Sequence, residues 1–153
     1  MNAILQAHRQ LCRFDDTLSD WGASLAGLAL RWYIGWQFFK AGLAKIRDWD
    51  ATLALFQDEY HVPLLPPELA AYMGAGGELL LPLLLFAGVI TRPAALALFC
   101  VNAMAVISYP QLFSFECPAA INDHFFWGAG LLLLVAYGPG RFSLDAMLSK
   151  RPK

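Results

Sequence analysis

From Leu79 to Ile90 the chain runs twelve residues without a polar side chain. A soluble helix usually keeps a polar face even where its other side is buried, so a segment apolar all round disfavours a soluble all-helical core. Composition points the same way. Of 153 residues, 58% are hydrophobic and 15% charged, too apolar for an ordinary soluble domain of a length that has room for one domain. The bilayer is the expected solvent.

A spanning helix needs about 20 mostly apolar residues to cross about 30 Å of hydrocarbon. Four windows approach that length: 22–45, 69–90, 92–110 and 121–138. The expected fold is all-α, a four-helix transmembrane bundle forming a single membrane domain over 1–153. Thr91-Arg92-Pro93 alone separates the second and third windows, which predicts a tight helical hairpin with the proline in the first turn of the next helix. Gly138-Pro139-Gly140 closes the fourth. Arg9 and Arg13 are followed by Asp15, Asp16 and Asp20 before any apolar run, unlike a cleavable signal peptide, so the first window is expected to stay in the mature protein. The two halves show no internal repeat.

Lysine and arginine asymmetry sets the expected orientation. With both termini cytoplasmic, the inner side holds Arg9, Arg13, Arg92, Arg141, Lys150, Arg151 and Lys153, and the outer side Lys45 and Arg47. N-in and C-in is therefore expected. The first outer loop, 46–68, places Trp49, Leu53 and Phe56 at helical spacing and predicts an interfacial helix; the second, 111–120, holds Glu116 and Cys117. The formal net charge of −1 comes with no basic stripe, so no nucleic-acid partner is expected. Cys12, Cys100 and Cys117 form neither a CxxC pair nor a metal-ligand pattern, and the sequence leaves their redox state open.

Ionisable groups at membrane depth cost several kcal/mol unless paired or hydrated, so each is a functional candidate. They are Arg31, Lys40, Glu78 and His124, accompanied by Gln37, Asn102 and Asp123. Arg31, Gly35, Phe38, Gly42 and Lys45 recur at steps of four, three, four and three, which sets them on one helix face whose glycines allow a close neighbour. The second window is the expected neighbour, with Ala70, Gly74 and Glu78 in an i, i+4, i+8 row and Pro82 beyond. Counting residues from the expected helix ends puts Glu78 within side-chain reach of Arg31 or Lys40, with Arg31 favoured because it shares the glycine face. Arg31, Glu78, Asn102, Asp123 and His124 then outline a candidate polar cavity opening outward, with Lys40 and Lys45 as a charge relay or anchors. The bland alternative is an ion pair that only fixes helix register and an asparagine that only bonds between helices. His124, beside Asp123 and Trp127, reads as a hydrogen-bonded anchor rather than a metal or haem ligand. It has no histidine partner at i+4, and His61 is its only plausible companion. No metal site is expected.

Arg31, Gly35, Phe39, Gly42, Lys45 and Trp49, then Glu78, Gly88 and Thr91-Arg92, and finally Gly138-Pro139-Gly140-Arg141-Phe142-Ser143-Leu144-Asp145, resemble the DoxX family of bacterial membrane proteins over roughly residues 25–148. The resemblance implies a multi-pass protein of the bacterial inner membrane. It also implies a redox association, since the wider group includes subunits linked to thiosulfate oxidation with quinone as acceptor and members linked to oxidative-stress defence. The Asn122–Trp127 opening of the fourth window departs from the plainer pattern and resembles DoxX-like proteins of copper-responsive peptide-maturation clusters. Two functions follow as expectations. One is an accessory oxidoreductase subunit handling electrons or protons with a quinone cofactor. The other is a non-enzymatic scaffold, or a small-solute or metal-handling protein. The expected partners are the lipid bilayer, a membrane or periplasmic protein, and a second copy of the chain. Ser143 reads as the N-cap of a short closing helix.

Overall fold

The computed structural model describes residues 2–114 and 118–149, with side chains from residue 19 onward. Glu116 and Cys117 lie outside the described residues, as does the side chain of Cys12. The described chain is helical, with no strand: α1 (Asn2–Arg47), α2 (Trp49–Asp58), α3 (Pro67–Ala87), α4 (Thr91–Ser108), a 3-10 turn (Pro110–Phe113), α5 (Ala119–Tyr137) and α6 (Leu144–Ser149). Three helices, α3, α4 and α5, are long and apolar enough to cross a membrane. α1, whose 22–45 stretch carries Arg31, Gln37 and Lys40, is not among them.

The helix ends differ from the apolar windows by a few residues, and the differences have causes. α1 begins at Asn2, well before its apolar stretch, because charged residues are good helix formers and hydropathy marks where a helix meets lipid, not where it starts. α3 stops at Ala87 because Gly88 adopts a left-handed cap at φ 67°. The α3–α4 turn is therefore Gly88-Val89-Ile90, and Thr91-Arg92-Pro93 forms the first turn of α4 instead of the connection. Gly138 ends α5 in the same left-handed range of φ.

The larger of two apolar clusters among the described residues draws Ile34 and Phe38 from α1, Leu85 from α3, Ala94, Ala95 and Leu98 from α4, and Leu131 and Leu134 from α5. Large apolar side chains elsewhere on the same helices stand exposed, among them Trp32, Tyr33, Leu80 and Phe126. An exterior of this kind suits hydrocarbon.

Close approach of α1 to α3 sets the depth of everything else. A Cβ at Gly42 would sit 2.8 Å from Leu79 Cγ and 3.1 Å from the backbone carbon of Glu78, so only glycine permits this contact. From that level α1 runs five residues further, to Arg47, whereas α3 extends eleven residues back to Pro67. At 1.5 Å per residue α1 ends about 9 Å short of its neighbour. α2 covers the exposed flank. Asp48 caps its start by accepting from the Ala51 N–H at 3.0 Å, and the Thr52 hydroxyl donates to the Lys45 carbonyl at 2.9 Å. Phe56 then packs on Ala70 and Ala71 of α3.

Candidate functional site

Because α1 stops early, the Lys45 side chain of its last turn is carried to the flank of α3, whereas Ile46 and Arg47 stay exposed. Lys45 sits three residues beyond Gly42, on the same face and next to Glu78. Its Nζ donates to both carboxylate oxygens, at 2.6 and 2.9 Å. The Lys45 side chain is 17% exposed and that of Glu78 9%. Each charge in this buried pair offsets the desolvation cost of the other.

The pair borders a cavity of about 250 Å³ lined by α2, α3, α4 and the segment after α2. Phe56, Val62, Leu65, Ala70, Val101 and Ala105 supply much of its apolar wall. Tyr60 and Ser108 add hydroxyls near the α2 end. Burial, followed by the nearby Glu78 charge, pushes the Tyr60 phenol above its ordinary pKa, so it stays protonated and can donate. Ser108 is 2% exposed and its Oγ has no hydrogen-bond partner among the described residues. A buried hydroxyl left unpaired costs free energy that a ligand atom in the cavity would recover.

The five residues expected around one cavity occupy three places. Only Glu78 lines the cavity. The expected Glu78–Arg31 pairing is replaced by Glu78–Lys45. Arg31 lies eleven residues before Gly42 on α1, about 16 Å away along the helix axis, beyond side-chain reach. Residue counts from the helix ends would bring the two together only if both helices ended at the same level, and α1 ends about 9 Å short of α3.

Arg31 is wholly buried at the opposite end of the protein, where its Nη2 donates to the Phe142 carbonyl and its Nη1 lies against Gly88. Asp145 joins it there. Its carboxylate accepts from the Ile90 and Thr91 N–H groups at 2.8 and 2.9 Å and from the Thr91 hydroxyl at 2.9 Å. The closing segment thus caps α4, whose own cap residue, Ile90, is held at φ 42° with no side-chain oxygen to offer. Burial disfavours the Asp145 charge, but these hydrogen bonds and the Arg31 charge outweigh it and hold the carboxyl below the ordinary aspartate pKa. Ser143 caps α6 through the Ala146 N–H at 3.1 Å.

Asn102 and His124 form the third place, joining α4 to α5. Asn102 Nδ2 donates to the His124 carbonyl at 2.9 Å, which leaves Asn102 Oδ1 to accept from His124 Nδ1 at 2.8 Å. His124 Nδ1 therefore carries a proton in this hydrogen bond. Trp127 packs edge-on against it. Asp123 and Lys40 are exposed.

Sequence reasoning gave Tyr60, Ser108 and Cys100 no role in a cavity, although all three line it. Tyr60 and Ser108 stand at helix ends and carry no periodic signal. Lys45 did carry one, since it continues the glycine face by one step.

A family model described as DoxX matches residues 26–111, more than half of the chain. The chain belongs to the DoxX family. The matched stretch contains the whole DoxX cavity lining, from Lys45 to Ser108, but neither His124 nor Asp145. An uncharacterized protein of Haemophilus influenzae is 31% identical over 134 residues, which cover 84% of this DoxX chain and 87% of that protein. No solved structure matches this DoxX chain significantly. The family and the apolar helices make it a membrane protein.

Proposed function

We propose that the cavity beside Lys45 and Glu78 binds the carbonyl-bearing head group of a quinone, and that the protein is an accessory subunit of a redox or stress-response system in the bacterial inner membrane. In this reading residues 22–45 of α1 form a fourth span with α3, α4 and α5, both termini are cytoplasmic, and α2 lies at the outer interface. The observation that carries the proposal is a bidentate charged pair beside an apolar cavity, with Glu78 on a helix long and apolar enough to cross a membrane. Intramembrane charges that face a cavity mark ligand or proton sites, whereas lipid-facing ones are too costly to persist.

The chemistry suits the residues. Lys45 Nζ and the Tyr60 hydroxyl are donors for a carbonyl oxygen, and the unpaired Ser108 hydroxyl offers another. Reduction of a quinone to a quinol takes up two electrons and two protons. The electrons come from a partner redox protein and both protons from water, with Glu78, next to the cavity, taking up one proton at a time and passing it to a reduced oxygen.

Quinone retained by the detergent-purified protein, extracted into solvent and quantified by chromatography, tests this reading. Wild type is expected to hold near-stoichiometric quinone or to take up added decylubiquinone. Glu78→Gln, which leaves the Lys45 ammonium without its counter-charge, should lose it while remaining folded, with a stability cost of about 2 kcal/mol. A wild-type protein that neither retains nor takes up quinone would exclude the proposal.

A further inference from the structure

The cavity has two conceivable routes to the outside, and the structure treats them differently. Toward the α2 end the segment after α2 forms a roof. The His61 N–H donates to the Ser108 carbonyl at 2.8 Å, and the Tyr60 ring stacks edge-on against Phe56 and Tyr109 at 4.8 and 5.1 Å. The Tyr109 hydroxyl in turn donates to Glu59 Oε2 at 3.1 Å. Sideways, between α3 and α4, three lining residues reach the exterior: Met73 is 57% exposed, Met104 38%, and the Cys100 thiol is also exposed.

Their depth decides what that exterior is. Met73 lies six residues into α3, and Cys100 eight residues from the end of α4, so both sit about 9 to 12 Å inside the ends of apolar helices. The medium at that depth is hydrocarbon rather than water. Below the gap the two helices close again, because a Cβ at Gly77 would lie 3.1 Å from Val101 Cγ2. The opening is thus a side window bounded by the roof above and the Gly77–Val101 contact below. Cys100 and Met104, four residues apart, share one face of α4 along its edge.

We propose that the native ligand is a bilayer-dissolved amphiphile that enters sideways between α3 and α4, past Met73, Cys100 and Met104. This rests on the reading of the Lys45–Glu78 cavity as a ligand site and adds the route and the class of molecule. A volume of about 250 Å³ is at the small end for ligand pockets and admits one ring-sized head group, not a whole lipid. The head reaches Lys45, Glu78 and Ser108, and its apolar tail stays in the window among flexible methionines that adapt to varied chain shapes.

Photolabelling in proteoliposomes tests the route, using a decylubiquinone analogue with a diazirine in its alkyl tail and mass spectrometry to locate the adducts. Labels are expected on Met73, Cys100 or Met104, and excess decylubiquinone should suppress them at least tenfold. Closing the window with Cys100→Trp should cut labelling at least tenfold without lowering the melting temperature. Labels on residues 59–65 instead, or full labelling of Cys100→Trp, would overturn the lateral route while leaving the binding site standing. Absence of any competable label on wild type would remove the underlying binding reading as well.

Discussion

Lys45 Nζ lies 2.6 Å from Glu78 Oε2, one turn beyond the point where Gly42 lets α1 touch the backbone of α3. The charge pairing and the helix packing are one feature, since Gly42 fixes the level at which the ammonium meets the carboxylate.

Removing one member of the pair should cost more than removing both. Lys45→Met strands the Glu78 carboxylate beside an apolar cavity, and about 2 kcal/mol is expected, below the 3–5 kcal/mol of a fully buried pair because Lys45 is partly exposed. The double variant Lys45→Met/Glu78→Met should recover much of that loss. Thermal unfolding in detergent measures both, and a double variant less stable than the single one would contradict the account.

Gly42→Val is expected to separate α1 from α3, because its Cβ alone would meet the Leu79 side chain at 2.8 Å and the Glu78 backbone at 3.1 Å. Overpacking of this kind costs about 1–3 kcal/mol. It should also abolish quinone retention by moving Lys45 away from Glu78. Normal stability and retention in Gly42→Val would show that the close contact is dispensable.

Asp145 makes the α6 end acid-sensitive. Its pKa is depressed in the folded state, so its stabilising contribution is complete above the unfolded aspartate value and is lost as pH falls through the folded one. Wild type should lose stability below about pH 5 more steeply than Asp145→Asn, which has no proton to gain there. At neutral pH, Asp145→Ala should cost about 1–2 kcal/mol through loss of the α4 cap. Melting curves across pH 3–7 check the sign, and parallel acid slopes in wild type and Asp145→Asn would refute it.

The Asn102–His124 link is expected to be structural. Asn102→Ala should cost about 1 kcal/mol, as interhelical hydrogen bonds in membranes do, and leave quinone retention intact. Nitrogen NMR of labelled histidine should find the His124 proton on Nδ1. An Nδ1 without a proton would reverse the hydrogen-bond assignment.

The site was only partly legible before the fold was known. The face running through Arg31, Gly35, Phe38 and Gly42 is buried, because helical periodicity is a local property that the sequence displays directly. The Arg31–Glu78 pairing failed because residue counts along two separate helices share no common origin until the contact that aligns them is known. That contact is Gly42 on Glu78. Arg31 found its partner 111 residues away, in a carbonyl at Phe142, and backbone carbonyls leave no trace in a sequence.

The sequence by itself determined that this chain is helical and built for a membrane, and that glycines let α1 approach a neighbour. Those conclusions rest on hydropathy and on a 3.6-residue period, both fixed by the order of side chains. Tertiary structure decided which charge meets which, where α1 ends relative to α3, and that Tyr60, Ser108 and Cys100 share a cavity with Glu78. These depend on the relative sliding of helices, which close packing at Gly42, Gly77 and Gly88 sets and no single segment encodes.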